Sequence, residues 1–73
     1  MADIKVVSEV AGSIWQVLVA AGDKVEADTP LILVESMKME IPVLAPGAGM
    51  VTEILVAVGD LVTEGQAVVN LKT

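Results

Sequence analysis

Laid over itself at an offset of 37, the 73-residue chain repeats, with Asp3–Ser36 falling on Glu40–Thr73 and ten of the 34 pairs identical. The matches include Gly12 with Gly49, Leu18-Val19-Ala20 with Leu55-Val56-Ala57, Gly22-Asp23 with Gly59-Asp60, and Val25 with Val62. A copy this short buries too little surface to hold a core alone. The two copies must therefore pack on each other, most simply about a pseudo-two-fold axis. Met37, Lys38 and Met39 lie between the copies. Such an axis sends this link to one end of the molecule and the two chain ends to the other. One domain over residues 1–73, with repeats at 3–36 and 40–73, is the expected organisation.

Each copy is dense in β-branched residues and broken every few positions by glycine or proline. This predicts strands at Ile4–Ser8, Ser13–Val19, Leu31–Ser36, Met39–Leu44, Met50–Val56 and Ala67–Leu71, with one-step strands at Val25 and Val62. Gly22-Asp23 and Gly59-Asp60 read as turns, being too isolated for phosphate loops. Gly12 and Gly49 are expected to relieve backbone constraint at strand starts. Pro30, Pro42 and Pro46 are expected to limit pairing at sheet edges. No window carries a helical apolar stripe. The class is all-β, and the imperfect alternation around Trp15 suits strongly twisted strands in a small barrel.

Several functions drop out on composition. With no Cys and no His, the chain has no disulfide, no thiol nucleophile, no Cys/His metal site and no histidine acid or base. Ten acidic against four basic residues give a net charge of −6, which argues against nucleic acid and anionic membranes. The longest charge-free stretches, Val10–Gly22 and Ile41–Thr52, are broken by glycine or proline and fall short of the roughly 20 apolar residues a spanning helix needs. Asp3 and Lys5 come too early for a secretory leader, so a cytoplasmic location is expected. Glu35 and Glu40 straddle an exposed tip without a cleft to tune them, so independent catalysis is not expected.

The link reads Glu35-Ser36-Met37-Lys38-Met39-Glu40. Away from this setting, Lys38 would read as a solvated surface charge. Here it is one of four cations and stands at the tip of a two-fold structure, between two methionines. On strand alternation Met37 and Met39 share a face opposite the lysine, where they either cap the barrel end or meet a partner through their flexible thioethers.

This stretch closely resembles the attachment site of biotinyl domains, the biotin/lipoyl attachment family, and the flanking Gly-Asp-x-Val turns are similar to that family too. The likeness covers essentially the whole chain. It is nearest to biotin carboxyl carrier domains and to short stand-alone biotin/lipoyl attachment proteins. No thumb insertion fits between the halves, and no Pro/Ala-rich linker precedes Asp3. The resemblance implies a flattened barrel of two four-stranded antiparallel sheets, a barrel-sandwich hybrid, with the modified lysine on a hairpin tip. It implies biotin amide-linked to Lys38, with Met37 and Met39 as the flanking signature. Glu35, Ser36 and Glu40 become candidates for recognition by a biotin protein ligase.

The resemblance further implies a non-catalytic carrier, a swinging arm that serves the biotin carboxylase and carboxyltransferase components of a biotin-dependent carboxylase. Nothing near Lys38 supplies a base to free its amine, so acylation must come from a separate ligase. The alternatives are a lipoyl carrier for acyl transfer, loaded by a lipoyl ligase on the same fold and not exclusive of biotin in a domain without a thumb, and an unmodified interaction module. Lipoyl sites typically place an acidic residue before the lysine and a small one after it, where this chain has Met37 and Met39.

Overall fold

Aliphatic residues at alternate positions give each longer strand an inward face, and the chain closes those faces on one another. The computed structural model describes residues 2–73; Met1, the first residue of the expected domain, lies outside the described residues. The strands are β1 (Asp3–Val7), β2 (Gly12–Val17), β3 (Lys24–Val25), β4 (Pro30–Ser36), β5 (Met39–Leu44), β6 (Gly49–Ile54), β7 (Leu61–Val62) and β8 (Ala67–Lys72). They form two four-stranded antiparallel sheets, ordered β1-β8-β6-β3 and β5-β4-β2-β7. No helix is present among the described residues.

Each strand of one sheet has its repeat mate in the other, and both sheets mix the two copies. β3 of the first copy pairs with β6 of the second, and β7 of the second with β2 of the first. The turns repeat as well. Asp23 accepts the Ala20 amide through Oδ2 at 2.9 Å, and Asp60 accepts the Ala57 amide at the same distance. Gly22 donates to the Val51 carbonyl at 2.6 Å, and Gly59 to that of Ile14 at 2.8 Å. Each Gly-Asp turn is thus tied to the opposite copy. Left-handed φ values of 97° and 94° explain why both positions are glycine.

Leu31, Ile32, Val34, Val51, Val68, Val69 and Leu71 are fully buried between the sheets. Complete burial of such a side chain contributes about 1.5–3 kcal/mol each, which drives the closure. A bulge between Ile14 and Gln16, matched by one between Val51 and Glu53, sharpens the strand twist.

Three expectations need correction. β2 and β6 end at Val17 and Ile54, two residues early, because the chain leaves the regular ladder to enter the Gly-Asp turns. Pro42 does sit on an edge strand, but Pro30 opens the central strand β4, a first position that needs no ladder donor, and Pro46 lies outside the strands. Gly12 and Gly49 are not among the residues with positive φ. They are glycine for lack of space: a β carbon on Gly12 would strike the Glu35 carbonyl, and one on Gly49 would lie 2.8 Å from the Lys72 carbonyl.

Candidate functional site

β4 and β5 are paired from Pro30↔Leu44 up to Ser36↔Met39, which leaves Met37 and Lys38 as a two-residue loop. Both take left-handed backbone, at φ 52° and 64°. That is the geometry of a type I′ turn, whose hand matches strand twist and which ordinarily selects Asn-Gly. A side chain in this region costs roughly 1–3 kcal/mol per residue. The surrounding ladder imposes it. β4 is the second strand of its sheet, bonded on both sides, and Gly12 of β2 lies against the Glu35 carbonyl just below the loop.

Lys38 is therefore exposed at the apex of the hairpin, beyond the last ladder pair, Ser36 with Met39. Met37 is 92% exposed and Met39 64%. The expected strand alternation does not apply to Met37, which is a turn residue, and its exposure shows that it does not cap the barrel. Met39 begins β5 opposite the half-buried Ser36. Glu35 and Glu40 face each other across the hairpin, both exposed on its outer face. The six-residue stretch is thus gathered at one tip.

The other end of the barrel is built on the same plan without the loop. There Thr73 donates to the Ala2 carbonyl at 2.9 Å, and Ala2 to that of Thr73 at 3.3 Å. Thr73 is the mate of Ser36, so in backbone the two ends differ by the loop.

A primary amine on a solvent-facing tip can accept an acyl group in amide linkage, and Glu35, Met37, Met39 and Glu40 beside it are exposed as well. Among the described residues no group of three or more His, Cys, Asp or Glu could hold a metal ion. The left-handed turn is the feature sequence reasoning missed. A signal was present: strands ending at Ser36 and restarting at Met39 leave two loop residues, and tight hairpins of that length demand positive φ.

Comparison with known proteins agrees with this geometry. The family model described as biotin-requiring enzyme matches residues 2–71. A biotin/lipoyl attachment protein of Bacillus subtilis (strain 168) is 43% identical over 63 residues, covering 86% of each chain. A homolog of the biotinylated protein TB7.3 from Mycobacterium leprae (strain TN) is 50% identical over 38 residues, 52% of this chain and 54% of that one. Among solved structures, the urea carboxylase of Kluyveromyces lactis superposes with a TM-score of 0.93 at 36% identity over 99% of this chain. A single-chain, multi-domain long-chain acyl-CoA carboxylase does so at 0.89 and 26% identity over 97%. The chain spans only 6% and 7% of those two carboxylases. A duplicated β-barrel with this tip, matched nearly end to end, belongs to the biotin/lipoyl attachment domain family.

Proposed function

We propose that Lys38 carries biotin in amide linkage and that the domain serves as a carboxyl carrier between a biotin carboxylase site and a carboxyltransferase site. The observation that carries this reading is the position of Lys38 at the apex of a two-residue turn between Met37 and Met39. The biotinylated relatives and the carboxylase neighbours support the choice of cofactor and partners.

Loading falls to a biotin protein ligase, which supplies the base. Nζ of Lys38 gives up a proton to that base and forms an amide bond to the acyl carbon of biotinyl adenylate; the acyl–phosphate bond breaks and AMP leaves. Glu35, Ser36 and Glu40 flank the amine and meet the ligase first. The chemistry supplied once biotin is bound is uptake and release of a carboxyl group at a ureido nitrogen. The protein's own contribution is a fixed base for the arm and a high local concentration of the tethered group at each site.

A second reading, lipoate on the same lysine, is favoured by one observation: the Bacillus subtilis relative is named for both groups. Parallel incubation with biotin ligase and lipoyl ligase, read by intact mass, separates the two. The loaded domain, given biotin carboxylase, ATP and labelled bicarbonate, should take up label that a Lys38→Arg domain does not. Loaded domain that takes up no label removes the carboxyl-carrier role.

A further inference from the structure

The internal repeat provides a control for surface selection, since each residue near the tip has a mate at the opposite end of the same fold. Leu61 is 81% exposed, Val58 65% and Trp15 47%. Their mates are Lys24, Ala21 and Thr52. Three exposed apolar side chains thus stand on the tip half where the other half has a charged, a small and a polar residue. The one reversal is Met50, whose mate is Ser13, and Met50 lies in register between Lys24 and Lys72.

These residues adjoin the loop. Leu61 of β7 pairs with Ser13 of β2, which pairs with Glu35 of β4, which pairs with Glu40 of β5. Residues directly opposite share a face, so one outward row runs from Leu61 to the two glutamates below Lys38. Gly59, next to Val58, is bonded to the Ile14 carbonyl, which sets that turn beside Trp15. The same row at the far end reads Lys24, Met50, Lys72, Asp3.

We propose that Leu61, Trp15 and Val58 form, with Glu35 and Glu40, the docking surface for the ligase that acylates Lys38, and that the ligase meets it with an apolar recess rimmed by Lys or Arg. This rests on the carrier reading above. Reach decides for the ligase over a carboxylase. The bare lysine stem extends only roughly 6 Å, so the enzyme that acylates it must close over the tip and its flanks. After acylation the arm is longer, and a carboxylase site is reached with the barrel held back. An ordinary interface of about 800 Å² per partner covers a disc of roughly 16 Å radius. Leu61 is two strand spacings from Glu35, about 10 Å, and falls inside it. The exposed carboxylates require a cationic rim opposite.

Two double variants exchange residues between mates, so each side chain they introduce is one the fold already holds at the equivalent position. Leu61→Lys with Trp15→Thr should lower kcat/KM for biotinylation by about tenfold or more, chiefly through KM, with the melting temperature kept. Lys24→Leu with Thr52→Trp at the far end should leave the rate unchanged. Leu61→Met should retain the rate. Binding of ligase to the unloadable Lys38→Arg domain should weaken in parallel with Leu61→Lys added. Wild-type kinetics and binding in the Leu61→Lys, Trp15→Thr domain overturn the docking surface, as does an equal loss in the far-end pair. Failure of the unaltered domain to be biotinylated overturns the carrier reading instead.

Discussion

Gly12 lies against the carbonyl of Glu35 with no room for a β carbon between them, and this close approach fixes the height of the hairpin that carries Lys38. Gly49 has the matching relationship to Lys72 at the opposite end. Gly12→Ala should cost about 2 kcal/mol through overpacking and should also slow biotinylation, because β4 must shift beneath the loop. Gly49→Ala should destabilise as well but leave the rate of loading unchanged. Urea unfolding and a loading time course on both variants check the difference.

The tip holds two left-handed residues where asparagine and glycine are preferred. Met37→Asn should therefore raise stability, by roughly 0.5–1 kcal/mol, since Asn tolerates this backbone better. It should at the same time reduce loading, because the exposed thioether sits beside the amine over which the ligase must close. A melting curve and ligase kinetics on one variant read both effects, and they should move in opposite directions.

Leu71 is fully buried and pairs with Ile4 on one side and Val51 on the other. Leu71→Ala should cost about 2–5 kcal/mol. A domain of this size has only roughly 4–11 kcal/mol to lose, so the variant should be close to unfolding. Loss of the cooperative transition, or a midpoint far below that of the unaltered chain, is the expected result in urea.

The Asp60 carboxylate closes its turn by accepting the Ala57 amide at 2.9 Å. Asp60→Ala should cost about 1 kcal/mol, whereas Asp60→Asn keeps an acceptor oxygen and should lose less. Comparison of the two urea midpoints checks the ordering.

Much of this fold was legible because the sequence states it twice. Glycine in Gly22-Asp23 and Gly59-Asp60 marks turns at matching places, and alternating aliphatic residues mark the strands between them. What was not legible were relations across the fold. The closeness of Gly12 to Glu35 depends on β2 lying beside β4, which no local pattern announces. The backbone of Met37 is set by the ladder below it, against the residue's own preference. The placing of Lys38 at a tip followed from the repeat, but the exposure of Leu61 did not, since no local pattern announces that β7 is an edge strand with Leu61 on its outward side.

Fragment-ion sequencing of the domain after incubation with biotin protein ligase, biotin and ATP tests the central claim most directly. It should find one biotinyl group, added with loss of one water, on Nζ of Lys38, with Lys5, Lys24 and Lys72 unmodified. A domain left unmodified, or one labelled at any of those three lysines and not at Lys38, would contradict it.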